Sequence, residues 1–163
     1  MKIGVMADSH DHVPHVKRAV EHFKNRGVGL VIHAGDFVAP FAVAPLAELS
    51  CPVKAVLGNN DGEQIGLQRR FDAMGAELAP QLLETEADGK RIAAVHYPEL
   101  AKPIADSGHF DLVIYGHTHQ IDVRAGDALL LNPGESGGWL SGRATAAIVD
   151  LGGMSVEIFD LDR

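Results

Sequence analysis

The segment Gly116-His117-Thr118-His119 places two imidazoles two residues apart, directly after the apolar run Leu112-Val113-Ile114-Tyr115. At a strand end, residues i and i+2 project to one side. Their Cα atoms then lie about 6–7 Å apart, at ~3.3 Å rise per residue. That spacing suits two imidazoles serving two neighbouring metal ions, and it equally describes a pair of solvated loop histidines. Further groups of the same chemistry follow other apolar runs: Asp8-Ser9-His10, Gly35-Asp36, Gly58-Asn59-Asn60-Asp61 and His96. Carboxylate, imidazole and amide oxygen without sulfur are ligands for Mn²⁺, Fe, Co²⁺, Ni²⁺ or Zn²⁺ rather than Cu(I). Imidazole-rich sites are not the habit of Mg²⁺.

The elements that must position these groups are readable from apolar periodicity and from Gly and Pro. Strands are expected over 2–7, 28–34, 53–57, 112–115, 120–124, 128–131, 144–151 and 154–159, and a hairpin pairs 78–86 with 90–95 around Asp88-Gly89. A first helix starts at Pro14, carries the stripe Val16, Val20, Phe23 and ends at Gly27. Residues 41–49 read as helical between disruptive prolines 40 and 45. Asp61 and Gln64 have capping-box spacing for a helix to Met74, with Ile65 and Phe71 on its apolar side. A short helix contains Leu100 and Ile104. Strands and helices alternate in the first half and strands dominate the second, which points to an α/β layered fold with mixed strand directions. In open α/β sheets ligands gather beyond the carboxyl ends of the strands, where all five polar groups sit.

Bulk properties narrow the function. With 163 residues and 46% hydrophobic content, the chain is expected to form one domain over 1–163 with a substantial core. A formal charge of −8 provides no basic surplus for stable nucleic-acid binding through phosphates. It leaves room for a small phosphorylated substrate if metal ions supply local positive charge. Cys51 is the only cysteine, so no disulfide framework or thiolate zinc site is available, and it reads as a buried small hydrophobe. The opening residues lack a signal-peptide core, and no run approaches the ~20 apolar residues of a membrane span. A soluble, cytoplasmic protein without membrane contact is expected.

Taken together, Asp8-Ser9-His10, Gly35-Asp36, Gly58-Asn59-Asn60-Asp61, His96 and Gly116-His117-Thr118-His119 have the order and spacing of the calcineurin-like metallophosphoesterases. The chain resembles the small prokaryotic phosphodiesterase subgroup over nearly its whole length. The resemblance implies a four-layer αββα sandwich, two mixed β-sheets flanked by helices, with a di-metal site at one edge. It assigns one ion to Asp8, His10, Asp36 and His119, and a second to Asp36, Asn59, His96 and His117, with Asp36 bridging. Two divalent ions per chain follow, Mn²⁺ foremost, with Ni²⁺, Fe, Co²⁺ or Zn²⁺ as alternatives. Two dications less Asp8, Asp36 and a bridging hydroxide leave a single formal positive charge, matched to a phosphodiester monoanion. The neutrality of Asn59 preserves that remainder. The implied reaction is in-line attack on phosphorus by the bridging hydroxide.

The chain departs from the family pattern at Asn60, where many members carry a histidine thought to protonate the leaving oxygen. An amide cannot act as a general acid, a role that contributes about 10²–10⁴-fold. Weak activity on alkyl monoesters and better activity on diesters with good leaving groups is therefore expected. His12 is a second candidate for the acid, with an exposed loop histidine as the alternative, and Asp61 reads as a helix cap. His33 reads as packed behind the Asp36 loop, and Pro98 as reshaping the wall beside His96. His15, His22 and His109 read as surface residues. Asn132-Pro133-Gly134-Glu135-Ser136 resembles a family loop near the metals and reads either as a turn or as a substrate contact. The leading expectation is a binuclear phosphodiesterase acting on a small phosphodiester. The alternatives are a non-catalytic interaction scaffold on the same fold, or a phosphomonoesterase. Exposed strands of such a fold leave a homo-oligomer open.

Overall fold

The computed structural model describes residues 1–162. Its strands are β1 (Lys2–Met6), β2 (Leu30–His33), β3 (Val53–Val56), β4 (Glu77–Ala79), β5 (Leu82–Ala87), β6 (Lys90–Val95), β7 (Leu112–Ile114), β8 (Ile121–Arg124), β9 (Leu129–Pro133), β10 (Thr145–Asp150) and β11 (Ser155–Asp160). The helices are α1 (Val13–Arg26), α2 (Gln64–Ala73) and α3 (Pro98–Ala105). One sheet has the order β11-β10-β1-β2-β3-β4 and the other β5-β6-β7-β9-β8. Both are mixed: β1, β2, β3 and β4 run parallel, as do β6, β7 and β9, while β10, β11, β5 and β8 pair antiparallel.

Three apolar layers show why the chain stacks four deep. Val16, Val20 and Phe23 of α1 and Leu67 and Phe71 of α2 pack on one face of the first sheet. Ile3, Val5 and Ile32 of that sheet meet Ile92, Ile114 and Leu131 of the second. Ala101 and Ala105 of α3 cover the outer face through Val95, Val113 and Leu130. Strands β2 and β7 are buried throughout and β1 from Ile3 onward, which is why their sequences read as apolar runs. Truncating Phe23 or Phe71, both fully buried, would cost about 3–5 kcal/mol.

This is the αββα arrangement that the resemblance implied. Several local expectations are corrected. Only Ala44–Glu48 is helical between 41 and 49, as a 3-10 turn, because the prolines at 40 and 45 deny the amide donors of a regular helix. The expected strand over 78–86 breaks at Pro80, which places β4 and β5 in different sheets. Asn132 and Pro133 end β9 rather than forming a loop. Helix α2 starts after Glu63, not Asp61, and Ile65 on it is 72% exposed. Cys51 is only partly buried, against the first layer. Among the described residues, no helix is long and apolar enough to cross a membrane.

Candidate metal centre

The parallel registers bring the carboxyl ends of the strands to one edge. Met6 pairs with His33 and His33 with Ala55, so the segments carrying Asp8, Asp36 and Asn59 leave the first sheet side by side. Ala94 pairs with Ile114, so His96 and His117 leave the second sheet together. Cross-links then join the sheets: His96 Nδ1 lies 2.8 Å from Ala34 O, and the Asp8 carboxylate accepts from His117 N at 3.0 Å.

Two nests of donor atoms result. In the first, His10 Nε2 and His119 Nε2 face each other at 3.2 Å. Asp8 Oδ1 lies 3.9 and 3.5 Å from these nitrogens, and Asp36 Oδ2 lies 3.8 Å from that of His10. In the second, Asn59 Oδ1 is 2.9 Å from both His96 Nε2 and His117 Nδ1, and Asp36 Oδ2 is 3.5 Å from His96 Nε2. One oxygen of Asp36 thus faces both nests.

The donor chemistry fits divalent cations. The Ala34 carbonyl accepts the His96 Nδ1 proton, so Nε2 turns its lone pair toward the Asn59 oxygen, and burial lowers the His96 pKa and favours the neutral ring. Two lone pairs opposed at hydrogen-bonding distance ask for a cation beside them. The His10–His119 separation is compatible with adjacent ligands of one ion at about 2.1 Å. Burial, then the neighbouring charge of Asp36, push the Asp8 carboxyl up to about 8. A cation beside the pair would reverse that penalty. Asp8, His10 and His119 offer ligand atoms all within 4.8 Å of one another, and so do Asp8, Asp36 and His96.

The side chains converge by a different device from strand alternation. Asp8 (φ 52°), His10 (41°), Asp36 (60°), His117 (69°) and His119 (58°) all adopt left-handed backbone. Such residues cost of order 1–3 kcal/mol each and persist where their surroundings over-determine them. The β7 strand has already ended at Ile114, so His117 and His119 are aimed by successive left-handed turns. Gly58 is required for close approach: a Cβ there would sit 2.2 Å from Asp36 Oδ1.

Bracing groups surround the nests, and several were misread in the sequence. Asp61 does not cap α2; its buried carboxylate accepts from Asp36 N, Val38 N and Gly58 N, tying the two loops together. Glu135, fully buried, accepts from Trp139 N, Leu140 N, Ser141 N and Ser141 Oγ and lies 3.4 Å from His119 Nδ1. Asn132 Nδ2 donates to Gly116 O and Thr118 Oγ1. His33 is buried, with Nε2 at 3.0 Å from Ser9 Oγ and Nδ1 accepting from Gly35 N. His15 is buried rather than on the surface, held between Gly137 O and Asp162. His12 stands outside both nests: its Nδ1 accepts from His15 N as the cap of α1, and its ring stacks on His15 at 3.6 Å. Asn60 is joined to the site, donating from N and Nδ2 to the two Asp36 oxygens at 2.8 and 2.7 Å. The wall beside His96 is the ring of Tyr97, 5.2 Å from that of His117, with Pro98 opening α3 behind it.

An αββα sandwich with paired His and Asp nests at one sheet edge fits the phosphoesterase class. Residues 1–154 match the calcineurin-like phosphoesterase superfamily domain, and the chain belongs to that superfamily. Phosphodiesterase MJ0936 of Methanocaldococcus jannaschii is 38% identical over 154 residues, spanning 92% of this chain and 93% of that protein. The solved structure of a novel archaeal phosphodiesterase superposes with a TM-score of 0.92 at 34% identity, covering 98% of this chain and 99% of that one. Vps29 of Chaetomium thermophilum shares the fold alone, with a TM-score of 0.69 at 13% identity over 98% of this chain and 94% of its own.

Proposed function

We propose that this chain is a binuclear, divalent-metal-dependent phosphodiesterase acting on small phosphodiesters, with all of 1–163 serving as one catalytic domain. The observation that carries the reading is the position of Asp36 Oδ2, 3.8 Å from His10 Nε2 and 3.5 Å from His96 Nε2. A single carboxylate oxygen that faces both nests can serve as a shared ligand. Asp8, His10, Asp36 and His119 would hold one ion, and Asp36, Asn59, His96 and His117 the other, with Mn²⁺ the expected species. Bound there, the pair supplies Lewis acidity and lowers the pKa of the attacking water for in-line displacement at phosphorus.

The chain's own groups set the rest. Asp61 and Asn60 hold the Asp36 carboxylate in place through its backbone and both oxygens. The amide of Asn60 cannot act as a general acid, so diesters with acidic leaving groups are favoured. We assign His12 to the helix cap rather than to proton transfer. The M. jannaschii phosphodiesterase supports a diester substrate for this chain.

The test is metal analysis of the purified protein, then assay of metal-stripped enzyme on a bis-aryl phosphate with Mn²⁺, Ni²⁺, Zn²⁺ and Mg²⁺ added in turn. Two equivalents per chain and restored turnover with Mn²⁺ are expected. Inactivity with every ion would replace the enzyme reading with a scaffold on this fold.

A further inference from the structure

Beside the first nest, residues 135–141 form a loop that exposes two large apolar side chains, Trp139 at 63% and Leu140 at 82%. Such side chains on a mobile loop would fold back against the protein, but this loop is fastened along its length. Ser136 N donates to Ala7 O at 2.8 Å and Gly137 N to Asp8 O at 2.9 Å. A Cβ on Gly137 would meet Ser9 O at 3.0 Å, so the backbone lies directly on the segment that carries Asp8 and His10. The buried Glu135 carboxylate collects the amides of Trp139, Leu140 and Ser141. The indole Nε1–H of Trp139 donates to the carbonyl of His10 at 3.0 Å. Its one polar atom is therefore satisfied against the ligand segment while most of its surface stays open. Leu140 and Ser141 face His117, Thr118, His119 and Gln120 across a cleft of about 270 Å³.

Resting on the phosphodiesterase reading, we propose that Trp139 and Leu140 are specificity-determining: they form a rigid apolar rim that receives a flat aromatic group carried on the ester arm of the phosphate, for which a nucleobase borne on its sugar is the natural form. Leu140 carries the position, since it lines the cleft together with His117 and His119, and Trp139 stands next to it in the loop with its ring 4.9 Å from that of His12. The chemistry carries the proposal too, since a pre-positioned indole stacks any aromatic base without hydrogen-bond readout. Placement on a loop seated on the rigid ligand segment limits the ordering cost of binding.

Trp139 is the only tryptophan, so its fluorescence reports on the rim directly. Mn²⁺-loaded protein is titrated with adenosine 5′-monophosphate, ribose 5-phosphate and inorganic phosphate, by fluorescence and by calorimetry. Adenosine monophosphate is expected to bind at least about fivefold more tightly than ribose 5-phosphate and to quench Trp139 saturably. Trp139→Ala should erase that ratio and Trp139→Phe should keep most of it. Equal binding of the two nucleotide-like ligands by wild-type protein, with phosphate still bound, overturns the rim and leaves the phosphodiesterase reading standing. Failure to bind phosphate at all, in protein that carries its metal, overturns both. A dimer in sedimentation that Leu140→Ala dissociates would assign the rim to a second copy instead and overturn the proposal.

Discussion

The two nests share Asp36 and otherwise differ. The first is anionic and backed by charge: Asp8 and Asp36 are buried carboxylates, and Glu135 stands behind His119 at 3.4 Å. The second is neutral and more open: Asn59 contributes an amide oxygen, Asn59 and His117 are exposed, and His96 is oriented by a backbone carbonyl. Carboxylates attract a dication far more strongly than an amide does. On the binuclear reading, the first nest retains its ion while the second exchanges more readily and keeps net positive charge for an anionic substrate. The asymmetry teaches that a two-ion site need not be two equal sites: one half can serve retention and the other encounter.

The harshest way to break the comparison is Asp36→Asn, which removes the negative charge common to both nests and exchanges one carboxylate oxygen for an amide nitrogen. Turnover of a bis-aryl phosphate should fall by about 10³-fold or more, since each ion supplies several kcal/mol of charge stabilisation. Metal content should drop by more than one equivalent while circular dichroism stays native. Retention of two equivalents with normal turnover would dismiss the shared carboxylate. Asn60→His probes the junction of the nests, where that side chain meets the shared Asp36 oxygen. A gain of about 10²-fold on an alkyl phosphomonoester is expected, and a variant no faster than wild type removes the leaving-group account. Glu135→Gln sharpens the first nest alone. Its tighter calorimetric binding step should weaken by about 10- to 100-fold, the usual consequence of losing a carboxylate behind a ligating imidazole. An equal effect on both steps would mean that Glu135 acts only through the loop it anchors.

How much of this was legible in the sequence depended on how far apart the interacting groups lie along the chain. Buried strands such as β1, β2 and β7 announce themselves as apolar runs, and the five polar groups after strands marked the site edge. Asp61 was misread because its spacing to Gln64 satisfied a local rule, whereas its three partners return from residues 36, 38 and 58. Pro80 carried the signal for the break between β4 and β5, where a single hairpin arm is expected over 78–86. Glu135 sat inside a stretch of ordinary turn residues, and nothing local discloses a carboxylate buried against amides four to six positions on. The left-handed backbone at Asp8, His10, Asp36, His117 and His119 is only weakly marked by residue type: Asp and His favour it over other side chains, yet most of them do not adopt it.

The mildest test makes the two nests more alike. Asn59→Asp keeps size and shape and adds a carboxylate beside His96 Nε2 and His117 Nδ1. Binding at the weaker step should tighten by about tenfold, the effect of some 1.4 kcal/mol of added attraction at this open position. Turnover should move the opposite way, because the new charge cancels the positive remainder that meets the phosphodiester. Calorimetric titration of metal-stripped protein and steady-state rates on the same preparation read both directions at once. Tighter binding with faster turnover would show that ion occupancy, not charge, limits the second nest; unchanged binding would place Asn59 outside the ligand set and leave His96 and His117 to define it.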